Sequence, residues 1–155
     1  MMKAANRNDM KNNSLLFLLL IPFFQNCSTG EKALKKGHYE QAFSLSTKYL
    51  TRHPSNDEAK NIFLAAYKET ERLYQANIQR YRNENSPFKW ESVLYQYQQL
   101  EKHEQSFKNC KACIQLLNFQ LQSYATTIKQ VKDLAAAERY EAGTESLRRK
   151  ENRVV

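Results

Sequence analysis

The chain has 155 residues, a formal net charge of +8 and a mean hydropathy of −0.77, which suits one domain with a largely polar surface. Three glycines and three prolines are too few for the tight turns of a β-sandwich or β-barrel. The sequence has no glycine-rich run of the kind that cradles phosphate, which excludes a P-loop or Rossmann nucleotide site. Basic residues alternate with acidic ones, which predicts a solvated surface and no nucleic-acid partner.

The N-terminus has the pattern of a signal peptide. Lys3, Arg7 and Lys11 precede an uncharged, mostly apolar stretch over 14–24. A helix of that length spans about 16 Å, whereas a hydrocarbon core is about 30 Å thick and requires about 20 apolar residues. The stretch therefore favours a secretory segment over a membrane-spanning helix.

Cys27 follows this stretch closely, and residues 1–26 together with Cys27 resemble a bacterial lipoprotein signal. The resemblance implies that Cys27 becomes the lipidated N-terminus of the mature chain, with acyl chains that anchor it permanently. Ser28 stands where an aspartate would imply retention at the inner membrane, so the outer membrane is implied, with the chain on its periplasmic face. An ordinary signal peptide with an incidental cysteine is the alternative.

The rest of the chain is rich in helix-forming residues, and its glycines and prolines divide it into few segments. A short helix is predicted around Ala33, and Gly37 then allows a tight exit. A second helix is predicted from about Tyr39 to Pro54, because the residue before a proline avoids the α region. Ser55 or Asn56 can cap the helix that follows.

Gly37, Tyr39, Ala42 and Pro54 stand at a spacing that resembles the tetratricopeptide repeat (TPR), a pair of antiparallel helices repeated every 34 residues. The resemblance implies an all-α array of antiparallel αα-hairpins over residues 27–142, and protein partners. The last residues, 143–155, are predicted to form a charged tail. This tail is expected either to be disordered or to be the truncated remainder of a longer protein.

A short helical bundle or coiled coil is the alternative to a repeat array. Apolar residues alternate at spacings of four and three, as in a coiled-coil seam, along 110–135. The seam consists of Cys110, Ile114, Leu117, Leu121, Tyr124, Ile128, Val131 and Ala135. Such a seam needs a partner helix, either 57–85 of the same chain or a helix of another protein, which includes a second copy of this chain. A break near Asn109 is expected, so that 88–108 can fold back on 111–142. A similar seam precedes it at Trp90, Val93, Tyr97 and Leu100.

The cysteines Cys110 and Cys113 form a C-x-x-C motif for which three readings stay open: buried thiols, a local disulfide, or a redox or metal site. Regular helical geometry at this spacing is poor for a disulfide, so pairing requires a local distortion. Four zinc ligands are not found together, so no metal and no cofactor is expected.

The chain's histidines, His38, His53 and His103, are predicted to be exposed, and no catalytic motif accompanies them. No enzymatic activity is therefore expected. Tyr95 and Tyr97 straddle one face of a predicted helix, so at least one of them is expected to meet solvent or a partner, and both are candidates for a protein-binding surface. The sequence thus predicts a non-enzymatic, lipid-anchored scaffold that binds another envelope protein. The alternative is a structural protein that self-associates through the seam over 110–135.

Overall fold

The computed structural model describes residues 29–118 and 120–152, and this part of the chain is helical, without strands. The all-α class is therefore confirmed. The predicted signal segment 1–26 and the predicted lipidation site Cys27 lie outside the described residues. The helices are α1 Glu31–Lys35, α2 Tyr39–Arg52, α3 Asp57–Asn83, α4 Lys89–Ser106, α5 Lys111–Leu116 and α6 Ala125–Glu151.

The turn between α1 and α2 has the form that the sequence predicts. Gly37 has a φ of 74°, in the left-handed region that L side chains rarely adopt. α2 begins at Tyr39, and Ala42 on its first turn is fully buried. A Cβ atom on Gly30 would lie 2.6 Å from the Ala42 carbonyl oxygen. Small residues at these positions therefore allow the chain before α1 to lie directly on α2.

The connection from α2 to α3 is also set by local sequence. α2 ends at Arg52, and His53, which precedes Pro54, leaves the helix with φ −131° and ψ 68°. Asn56 caps α3, because its side-chain oxygen accepts a hydrogen bond from the Ala59 N–H at 2.8 Å. Local residues thus fix both ends of the α2–α3 connection.

α3 is the central helix of the bundle. α2 and α4 both pack along it, and α1 and α5 each contact α2 and α3. α6 packs on α4. Successive long helices are therefore neighbours in space, the arrangement expected of antiparallel hairpins joined by short connections.

The buried apolar residues form two clusters along the bundle. The first cluster joins α1, α2, the first half of α3 and α5. It consists of Ala33, Ala42, Phe43, Leu50, Ala59, Ile62, Phe63, Ala66, Phe107, Cys110, Ala112 and Cys113. The second cluster joins the second half of α3 to α4 and α6. It consists of Ile78, Val93, Tyr97, Leu100, Tyr124 and Val131. The predicted seam from Trp90 to Leu100 is confirmed as the buried face of α4, with Trp90 half-buried.

The predicted continuous seam over 110–135 is wrong, because two helices divide it. α5 ends at Leu116, and α6 begins only at Ala125. Between them Asn118 has a φ of 52°, a left-handed value at which a right-handed α-helix cannot continue. Cys110 packs in the first cluster and Val131 in the second, so the two ends of the pattern serve different cores.

Residues 143–151 are helical, so the predicted change to a disordered tail at residue 143 is not found in the described chain. α6 runs through Gly143 without interruption and ends at Glu151. A Cβ atom on Gly143 would meet nothing within 4 Å. A glycine in such an open helical position costs only about 1 kcal/mol relative to alanine, and the helix continues past it.

Candidate binding cleft

A cleft of about 270 Å³ opens where α2 and α4 diverge across α3. The two outer helices pack on α3 and leave a space between their own backbones. All three helices supply side chains to its walls. Those that matter below are Glu40, Phe43 and Thr47 from α2, Thr70 and Tyr74 from α3, and His103 from α4.

His103 forms one wall of the cleft and is buried, with 8% of its surface exposed. Its ring centroid lies 3.9 Å from that of Phe43 and 5.4 Å from that of Tyr67. Burial lowers the pKa of His103 to about 4, although the charge of Glu40 acts to raise it. The imidazole is therefore neutral at pH 7. The predicted exposure of His103 is wrong.

The position of His103 on its helix explains this error. Leu100, His103 and Phe107 lie three and four residues apart, so they share one face of α4 and of the turn that follows it. That face continues the seam that begins at Trp90. Continuing the spacing of that seam past Leu100 gives Glu104 and then Phe107, both of them buried, and His103 lies beside Glu104 on the same side of α4.

Three buried polar atoms on residues that line the cleft have no hydrogen-bond partner within the part of the chain that the structure describes. They are Thr47 Oγ1, Thr70 Oγ1 and His103 Nε2. The exposed fractions of these three residues are 9%, 2% and 8%. A buried polar group without a partner costs about 1–3 kcal/mol. Three such groups in one cleft indicate a surface suited to a ligand that supplies the partners.

Glu40 and Tyr74 close one end of the cleft with a hydrogen bond from the phenol to the carboxylate. Burial, together with this bond, raises the pKa of Tyr74, and nearby Tyr95 adds to the rise. A second depression shares Glu40, Thr70 and Tyr74 and continues to the predicted repeat residues Gly37 and Tyr39. The Glu40–Tyr74 pair thus lies between the cleft and this second depression.

Only one of the two tyrosines predicted to bind a partner is exposed. Tyr95 has 56% of its surface exposed. Tyr97 is buried in the second cluster, with its ring centroid 5.9 Å from that of Tyr124. Its phenol oxygen accepts a hydrogen bond from Arg82 at 3.3 Å. Tyr97 is therefore a core residue, and its predicted place on a binding surface is wrong.

The cysteines Cys110 and Cys113 form a disulfide, with Cα atoms 5.2 Å apart. The helical geometry that argued against this pairing does not apply, because Cys110 is the extended N-cap residue of α5. Cys113 lies on the first turn, and both side chains are buried in the first cluster. Of the three readings of the motif, the structure contains the local disulfide.

Two carboxylates on α4, the buried Glu104 and the partly buried Glu101, hold the segment between α5 and α6. Glu104 accepts hydrogen bonds from the Tyr67 phenol at 2.7 Å and from the Gln122 N–H at 3.2 Å. Glu101 accepts one from the Tyr124 N–H at 2.7 Å. Burial raises the pKa of Glu104, the two hydrogen bonds lower it, and the charges of nearby carboxylates raise it further. Side chains far from the segment in sequence thus fix where α6 begins.

Replacing Glu104 by leucine is expected to lower the free energy of unfolding by about 1–3 kcal/mol, because the Tyr67 and Gln122 donors lose their acceptor. Glu104→Gln is the matched control. Its amide oxygen can still accept from Gln122, and the Tyr67 hydroxyl can accept from the amide N–H. Urea unfolding followed by circular dichroism measures both variants. Equal stability of the two variants would contradict the proposed role of these hydrogen bonds.

Within residues 29–118 and 120–152, no group of three or more histidine, cysteine, aspartate or glutamate side chains is placed to hold a metal ion. The helices described there include none with the length and apolar character required to cross a membrane.

Comparison with known proteins finds no match: no family model fits the chain, and no curated protein or solved structure shows significant similarity to it. The resemblance to tetratricopeptide repeats therefore rests on the residues quoted above and stays a prediction.

Proposed function

We propose that this chain is a lipid-anchored scaffold at the periplasmic face of the outer membrane, and that it binds another envelope protein without catalysing a reaction. The observation that carries the binding function is the cleft between α2 and α4. Its three unpartnered polar atoms offer hydrogen bonds that a partner can complete. A short row of stable helices holds these atoms in place, which suits recognition of another protein.

The disulfide between Cys110 and Cys113 supports the proposed compartment. Disulfides persist in the bacterial periplasm and are rare in the reducing cytoplasm. Cys27 and the apolar stretch before it support export and anchoring. We do not propose self-association through 110–135, because α5 and α6 divide that seam between two clusters.

Replacing Cys27 by alanine tests the anchor. The wild-type chain and the Cys27→Ala variant are expressed in a bacterial host with a palmitate analogue, and the envelope is fractionated. We expect labelled wild-type protein in the outer-membrane fraction and no label on Cys27→Ala. Ser28→Ala is the control and should keep the label. Unlabelled wild-type protein would contradict lipidation, and cytoplasmic protein would contradict the proposed compartment.

Photocrosslinking tests the partner-binding surface. A photoreactive amino acid is placed at Ser44, which lies exposed at the edge of the cleft, and in a separate variant at Lys132, which is exposed on α6. We expect Ser44 to give one discrete protein adduct in intact cells and Lys132 to give none. Equal adducts at both positions, or none at Ser44, would place the partner surface elsewhere.

A further inference from the structure

We propose that the cleft between α2 and α4 accepts an uncharged carboxamide side chain, that of asparagine or glutamine, from the partner. This inference rests on the proposed function, because it names the chemical group by which the partner would be recognised. The groups that lack partners are the hydroxyls of Thr47 and Thr70 and the Nε2 atom of His103. Their residues come from three different helices and line one space.

The interior of the cleft carries no net charge that would pair with an ion. Thr47 and Thr70 are neutral, and the buried imidazole of His103 is neutral at pH 7. The carboxylate of Glu40 accepts a hydrogen bond from the Tyr74 phenol and belongs to an exposed residue, where solvent screens its charge. An ion moved into such surroundings loses hydration that these neutral groups do not restore.

The charged groups around the cleft all belong to exposed residues. The ammonium groups of Lys48 and Lys102 belong to exposed residues at the edge, where solvent screens them. The carboxylate of Glu40 is exposed as well, although its charge affects the titration of His103. A neutral ligand avoids the cost of desolvating a charge among the neutral groups of the interior.

A carboxamide matches the hydrogen-bonding groups that the cleft offers. It supplies two N–H donors and one oxygen acceptor. Hydroxyls both donate and accept, and a neutral imidazole nitrogen does one or the other according to its tautomer. The ring of Phe43 and that of Tyr74 supply apolar wall on which the flat amide and its methylenes can pack. The volume of about 270 Å³ has room for one such side chain.

A pair of isosteric probes tests this inference. N-acetyl-glutamine methylamide and N-acetyl-glutamate methylamide have nearly the same shape and differ in charge at pH 7. Each is titrated into the purified protein while the imidazole C–H signals are followed by NMR. The chain has three histidines, so loss of one signal in His103→Phe identifies His103.

We expect the glutamine probe to shift the His103 signal saturably, with a Kd of about 1 mM, a reasonable affinity for so small a ligand. The glutamate probe should bind at least about tenfold more weakly, because its carboxylate loses hydration without a charged partner. Tighter binding of the glutamate probe would overturn the inference and identify an anion site.

Thr70→Val removes one hydroxyl with little change of shape. We expect it to weaken binding of the glutamine probe by roughly fivefold, the loss of one hydrogen bond. Thr126→Val, at an exposed position of α6, is the matched control and should bind as the wild type does. Thermal melting confirms that both variants fold.

An unchanged Kd in Thr70→Val, or no saturable shift with either probe, would overturn the inference. The proposed function would survive those results if the adduct at Ser44 still formed. If Ser44 gave no adduct while the glutamine probe still bound saturably, the carboxamide site would be supported and the proposed protein partner would be contradicted.

Discussion

Replacing Phe107 by alanine is expected to lower the free energy of unfolding by about 3–5 kcal/mol, as for other large aromatic residues in cores. Phe107 is fully buried. Its ring meets the rings of Phe43 and Phe63 edge-on, at 5.7 Å from each centroid, and that of Tyr67 at 5.8 Å. Rings from α2 and α3 therefore meet on this one side chain, which comes directly after α4.

Urea unfolding at pH 7, followed by circular dichroism, measures the loss for Phe107→Ala. Tyr140→Ala is the control, because Tyr140 is the most exposed of the large hydrophobic residues described, at 74%. An exposed site of this kind should change stability by no more than about 0.5 kcal/mol. A loss below about 1 kcal/mol for Phe107→Ala would mean that the first cluster does not depend on this ring.

Acidification is expected to destabilise the wild type relative to His103→Phe, by up to about 3 kcal/mol between about pH 7 and about pH 4. The pKa of His103 is about 4 in the folded chain and about 6.5 in an unfolded one. The unfolded state therefore binds the proton first, and stability falls as the pH drops through this window. Above about pH 7 the imidazole of His103 is neutral in both the folded and the unfolded state, so it no longer makes stability depend on pH.

The groups that face His103 determine how this pH dependence is isolated. Glu40 on α2 contributes a negative charge, and Tyr67 and Tyr74 on α3 face it as neutral phenols. Glu104 on α4, with its raised pKa, gives a slope of the opposite sign. Because Glu104 is present in both proteins, its contribution cancels when His103→Phe is compared with the wild type.

Urea unfolding at several pH values between 4 and 7 provides this comparison. His53→Phe is the control, since His53 is exposed after the end of α2. If His103→Phe and the wild type lost stability in parallel, the imidazole would titrate normally in the folded chain.

The first helices could be predicted in detail because their signals are local. Gly37 permits a left-handed turn, and Pro54 disfavours the α-helical region for His53. Neither effect depends on what lies elsewhere in the fold. Asn56 caps α3 through a bond to its own near neighbour. Such features depend on a few consecutive residues, and the sequence shows all of them.

The segment from 110 to 135 could not be predicted in this way, because distant residues decide it. Its apolar spacing fits one long helix. The helix is nevertheless interrupted, and carboxylates of Glu101 and Glu104 accept N–H groups of the segment before α6. A period in the sequence does not reveal when tertiary hydrogen bonds compete with a continuous helix.

The cleft itself shows a similar limit. Thr47, Thr70 and His103 lie far apart in the sequence, and none belongs to a recognisable motif. Their convergence follows from how α2 and α4 flank α3. The apolar spacing of α4 reaches Glu104 and Phe107 and not His103, and the two threonines carry no pattern that distinguishes them from others on the same helices.

The end of α6 has a consequence for how freely this sequence can change. Beyond Arg139, which pairs with Glu91 on α4, the side-chain hydrogen bonds and ion pairs described for residues 140–151 stay within the helix itself. Substitutions there cost only helix propensity and short-range charge pairing, each a few tenths of a kcal/mol. Mutational tolerance should therefore rise along a single helix, from residues that the second cluster constrains to residues that need only remain helical and polar.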